Sequence, residues 1–254
     1  MLKKPKVFIR FMPGAGGHFL GSVLLSLCTP IKLNNPLSGH ENRKTMGTLL
    51  LLYFQNAPYD NVEINLSEEI TRIKRYRFDE HTSRPFFVIP MHIIDPAPAL
   101  LAFENTKLIN IKHDNSDLTQ LVYNDVIKSP HFFTRTFPQC FADFKRLYPT
   151  KLVDLKLEDI KITDTKLMTY ITKYVGIRFC ERFKDFPLTN IEHLYNIERA
   201  DIVNGNLVSK LDELAKFIGI ELLPERRQNA IDLIEKYAEA QILCPWNFYL
   251  DDYE

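Results

Sequence analysis

The first apolar run of the chain, Val7-Phe8-Ile9-Arg10-Phe11-Met12, is β-branched and aromatic and too short for a helix. It reads as a buried strand over residues 6–12. Pro13-Gly14-Ala15-Gly16-Gly17 breaks it, and His18 to Leu27 then carries apolar groups at helical spacing up to the stop at Pro30. Strand, glycine loop and helix open a βαβ unit. Residues 31–66 mix loop signals with an ambiguous apolar stretch from Thr45 to Phe54. Ser67 caps a charged helix to Arg77, with Glu68 and Glu69 in its first turn. Phe86 to Ile89, between Pro85 and Pro90, reads as a second buried strand, and a short helix follows Asp95 and Pro96. Lys107 to Lys112 is a third strand, followed by a helix capped at Asn115 or Ser116. A helix over 137–147 and a fourth strand over 151–157 come next. A helix from Thr163 to Val175 then ends at Gly176. Two more helices are predicted near 206–218, stopped by Gly219, and 224–241, started by Pro224. This alternation predicts an α/β fold, a mostly parallel sheet between two helical layers.

The chain has 254 residues, of which 45% are hydrophobic and 25% charged, as expected of a globular protein with a substantial core. It is expected to form one domain over 1–254, with 178–254 mainly a helical extension. Lys+Arg and Asp+Glu are both 32, so no global field draws it to nucleic acid or to an anionic membrane, and any anion site must be local. The longest apolar run, near Leu49 to Phe54, is too short to span a bilayer. Met1-Leu2-Lys3-Lys4 leads into a strand rather than into a signal-peptide core. Cys28, Cys140, Cys180 and Cys244 are scattered, without the spacing of a zinc site, which fits buried free thiols in a reducing, cytoplasmic compartment. A homo-oligomer is compatible with all of this.

The loop from Pro13 to Leu20 carries the most chemistry. Glycines tolerate positive φ, successive N–H groups can form a concave nest, and a helix start adds its positive end. Gly14, Ala15, Gly16, Gly17, His18 and Phe19 are therefore candidates for holding a phosphate or sulfate. The alternative is a tight strand-to-helix turn that holds nothing. The spacing from Gly16 to Gly21 and Ser22 lacks the lysine of an ATP or GTP hydrolase loop. The dinucleotide pattern is half met, since its third glycine position is Phe19.

On these residues the chain resembles the PAPS-dependent sulfotransferases, a branch of the P-loop fold. Their loop, of the type P-K-S-G-T-T-[WF]-L, is matched at Pro13, Gly16, Phe19 and Leu20. Pro90-Met91-His92-Ile93 is similar to the family's T-H-[LIV] segment. The run from Lys107 to Asp117 is similar to the segment whose arginine holds the 3′-phosphate. Leu155 to Ile160, followed by Val175-Gly176-Ile177, is similar to a later strand end and helix. The blocks stand in the family's order over residues 6–177. The resemblance implies a sulfotransferase-like fold, PAPS or its product PAP as cofactor, and a small-molecule or glycan acceptor. It implies His92 as the base for the acceptor, His18 as an extra donor at the sulfuryl group, and His113 at the 3′-phosphate. The chain departs from the pattern where the loop lysine is Gly14, where the arginine is His113, and where its serine partner falls on Leu121. Lys112 or Arg135 would have to replace the missing charge.

Each of these residues also has a structural reading. A histidine at a strand end or in a first helical turn commonly just satisfies hydrogen bonds. Arg84 reads as solvated, Arg72, Lys74, Arg75 and Arg77 as an exposed helix face, and Trp246, Phe248, Tyr249 and Tyr253 as packing groups. Two functions follow: a sulfuryl transferase, or a protein of the same fold that binds a ligand, or none, without chemistry. Loops over 31–66 and 178–206 are expected to shape the acceptor pocket.

Overall fold

The computed structural model describes residues 4–12, 14–28, 71, 74, 85–91, 95–114, 120–121, 138, 141–142, 145–146, 149, 154, 156–159, 183 and 186–241. The chain forms two compact units. One comprises residues 1–113 and 185–241; the other comprises 114–184 and 242–254.

The first unit is built on a parallel sheet of four strands: β1 (Lys6–Arg10), β2 (Phe87–Met91), β3 (Thr106–Lys112) and β4 (Leu194–Glu198). Their order is β2-β1-β3-β4, and each neighbouring pair is parallel. β1 is buried along its whole length, which explains its continuous apolar run. Pro90 sits inside β2, opposite Ile9. It is tolerated there because, among the described strands, β2 lies at the edge and pairs only with β1.

Five α-helices are described in this unit: α1 (Gly17–Ser26), α2 (Ala97–Ala102), α3 (Arg199–Val203), α4 (Leu211–Ile218) and α5 (Pro224–Glu239). A 3-10 turn at Asn206–Lys210 leads into α4. On one face of the sheet, Phe8, Ile89, Met91 and Leu108 pack with Ala99 and Ala102 of α2, and with Leu188, Ile191 and Leu194. On the other face, Phe11 meets the start of α1, and Lys107 and Tyr195 reach Phe217 of α4. The α/β parallel-sheet architecture is therefore as the alternation predicts. Helix boundaries follow the chemistry of the termini. Asp95 Oδ1 accepts the Ala97 N–H at 2.8 Å, and Gly219, at φ 84, ends α4 with its N–H on Ala215.

The predicted fourth strand needs correction. Asp154 lies in a turn, and Leu157 begins the 3-10 turn Leu157–Asp159, closed by Asp159 N–H donating to Lys156 O. The place beside β3 is taken by Leu194–Glu198, inside a segment expected to be loop. Among the described strands β4 lies at the edge, and only its Ile197 is fully buried, so its sequence lacks the apolar run that marks β1. The ambiguous stretch over 45–54 and the predicted helices at 67–77 and 163–175 lie outside the described residues, apart from Thr71 and Lys74.

In the second unit Leu121 and Phe141 are buried and helical, and the Lys145 ammonium lies 5.2 Å from the Phe141 ring centre, one turn on. No helix among the described residues is long and apolar enough to cross a membrane.

Candidate functional site

The carboxyl end of β1 runs through Phe11 and Met12 into the glycine loop and α1. Gly14 and Gly16 adopt left-handed φ of 80° and 85°, and Gly16 is the N-cap of α1. These values favour glycine, because a Cβ would crowd the following carbonyl. Ala15, between them, turns its N–H inward to Met12 O at 3.0 Å. The first bond of α1 is Leu20 N–H to Gly16 O at 2.9 Å. The amides of Gly17, His18 and Phe19 precede it, in a first turn whose N–H groups have no acceptor within the helix. Gly14, Gly16 and His18 are half-buried, whereas Ala15, Gly17 and Phe19 are buried.

Neighbouring side chains fix this turn closely. A Cβ on Gly17 would stand 2.2 Å from two ring carbons of Phe11, so glycine is what lets the strand's last aromatic lie under the helix start. The His18 ring meets Phe11 edge-on, with centroids 5.3 Å apart. Phe19 stacks on Tyr237 of α5 at 3.7 Å and 5°. A Cβ on Gly16 would come within 3.1 Å of Ile202 in α3 and 3.3 Å of the Tyr237 hydroxyl. The loop is thus walled by residues far along the chain.

Burial pushes the Tyr237 hydroxyl up to about 12, against smaller downward effects of the Arg199 charge and the Gln241 hydrogen bond. An unfolded tyrosine ionises near 10. Between these values the native state keeps a proton that the unfolded chain has lost, so this group withdraws stability as pH rises from about 10 to 12. Tyr237→Phe keeps the ring stack and removes that proton. Urea midpoints measured across this range are expected to fall less steeply in Tyr237→Phe than in the wild type.

Of the residues singled out from sequence, the structure brings Gly14 to Phe19 together in one turn. His113 is buried directly after β3, with Lys112 exposed before it. Leu121 is buried in the second unit. His92, Pro13 and Arg135 lie outside the described residues. Arg226 and Arg227 belong to α5, as predicted, and Arg227 pairs with Asp212 at 3.6 Å.

Sequence reasoning missed three buried cations among the described residues: Lys6 at the start of β1, Arg199 and Arg10. Arg199, 4% exposed, starts α3 directly after β4. Arg10, the last residue of β1, is 1% exposed. Its Nη1 donates to Asn110 Oδ1 at 2.7 Å, and its guanidinium lies 5.9 Å from the Phe186 ring centre. Burial lowers its pKa to about 9, and the Asp95 charge opposes that only in part. Its one signal in the sequence was a charge inside an otherwise apolar run.

No protein-family model matches the chain, and no curated protein matches it. Among solved structures the chain is similar to a sulfotransferase from Alicyclobacillus acidocaldarius. The identity is 13% and the TM-score 0.41, over 95% of this chain and 98% of that one. It is also similar to the sulfotransferase domain from the curacin biosynthetic pathway, at 15% identity and a TM-score of 0.33. That match covers 90% of this chain and 78% of the other.

Proposed function

We propose that the turn from Gly14 to Phe19 holds the phosphate or sulfate end of a nucleotide and that the protein is a sulfotransferase-like transferase using PAPS. The observation that carries the reading is the pair of left-handed glycines at a helix start, at the carboxyl end of a parallel strand. Open α/β sheets bind their ligands at that edge. The residues present fit the group in part. The absence of a Cβ at Gly16 lets Ile202 and Tyr237 pack close against the loop, while Gly14 stands where the related loops carry lysine.

When bound, PAPS supplies an activated sulfuryl group. The first-turn amides and the His18 ring would hold its oxygens by hydrogen bonds. His92 accepts the proton of the acceptor hydroxyl or amine. His113 would hold the 3′-phosphate. A second reading, a binding protein without catalysis, is favoured by Gly14 and Leu121 at the positions of the lysine and serine.

Calorimetric titration with PAP and with ATP tests the donor site. Micromolar PAP binding is expected, with loss of at least about tenfold in Gly16→Val, whose side chain is both strained and crowded. Absence of binding to either nucleotide removes the donor site and leaves only the fold. Where PAP binds, His92→Ala is expected to lose turnover and keep binding; unchanged turnover would rule His92 out as the base.

A further inference from the structure

Arg10, Asn110 and Asn196 stand in one register line across β1, β3 and β4. Arg10 Nη1 donates to Asn110 Oδ1 at 2.7 Å, and Asn110 Nδ2 donates to Asn196 Oδ1 at 3.0 Å. A guanidinium has donors only, so it sets the direction of the whole line. Asn110 turns its oxygen to Arg10 and its nitrogen to Asn196, and Asn196 turns its oxygen inward. The Asn196 amide nitrogen is then presented outward, on an exposed residue. Exposure is graded along the line: Arg10 and Asn110 are 1% and 6% exposed, and Asn196 is open. Hydrogen bonds in series polarise one another, so the buried charge strengthens the outermost donor. Lys112, also exposed, lies on the same face as Asn110 and is a diagonal neighbour of Asn196. Its register partner is the exposed Glu198, one pleat beyond Asn196.

We propose that the outward amide of Asn196, with the Lys112 ammonium diagonal to it, binds an oxyanion group of a small molecule (carboxylate, sulfate or phosphate) on the face of the sheet opposite α1. Both protein groups only donate hydrogen bonds, which suits a group that only accepts them. The Glu198 carboxylate, opposite Lys112 in the register, weakens the attraction. The proposal rests on the strand register and not on the glycine-loop reading.

The test is a titration of the ¹⁵N-labelled full chain with sodium sulfate and with sodium acetate at constant ionic strength. The side-chain amide signal of Asn196, assigned by its absence in Asn196→Asp, is expected to move and saturate. Saturation by one anion alone distinguishes a tetrahedral oxyanion from a carboxylate, and either supports the site. Glu198→Gln is expected to lower the midpoint about threefold and Lys112→Gln to raise it about threefold, as exposed charge pairs do. The response must persist in Gly16→Val; if it vanishes there, the anion sits at the glycine loop and the proposal is overturned. It is equally overturned if neither anion gives saturation, or if glycerol moves the signal as far.

Discussion

Gly17→Ala is expected to lower the thermal midpoint by about 5 °C or more, the opposite of what this exchange usually does. Placing alanine in a helix at an allowed φ ordinarily stabilises by roughly 0.4–1 kcal/mol. Here the new methyl would stand 2.2 Å from the Cγ and a Cδ of Phe11, at the root of a side chain that is 1% exposed and has no room to swing away. Overpacking of that kind costs about 1–3 kcal/mol or more, and each kcal/mol is worth roughly 2–4 °C in a chain of this size. The clash therefore wins. Thermal unfolding followed by circular dichroism measures it. In a Phe11→Ala background the ring is gone, and Gly17→Ala is expected to become neutral or mildly stabilising. If it costs the same in both backgrounds, the two residues do not meet.

The second large effect concerns the buried row across the sheet. Arg10→Met is expected to cost roughly 2 kcal/mol, because Asn110 keeps a buried oxygen that has lost its donor. The loss is softened because Met carries no charge to bury, and burial of the charge already holds Arg10 well below its ordinary pKa, at about 9. Asn110→Leu is expected to cost a similar amount, by taking a buried acceptor from the guanidinium. Arg10→Met with Asn110→Leu together removes both ends of the bond and should lie much closer to the wild type than the sum of the single losses. A coupling on the order of 1–3 kcal/mol is expected, read from urea unfolding with unchanged m-values. Strict additivity would mean that the row does not act as a unit.

Where local physics dominates, the fold was legible. The change from strand to helical period across Gly14–Gly17, the Asp95-Pro96 start of α2, Pro224 opening α5 and Gly219 closing α4 all depend on residues close in sequence. β4 was not legible, because Leu194–Glu198 is stabilised by its register with β3 rather than by its own pattern. For the same reason the glycine loop could be located, but its walls could not. Phe11, just after β1, is joined there by Ile202 of α3 and Tyr237 of α5. Arg10 read as one charge in an apolar strand; its role depends on Asn110 and Asn196, which sequence alone does not set beside it.

The strand order also bears on how the protein is made. β3 and β4 are adjacent in the sheet, yet the whole of residues 114–184 is synthesised between them. While the ribosome translates that stretch, β3 has one flank without its final neighbour, and Asn110 waits for Asn196. An open strand edge is a template for wrong pairing between nascent chains. Slow translation or a stall within 114–184 is therefore the moment at which this chain is most exposed to aggregation, and at which a holding chaperone has most to protect.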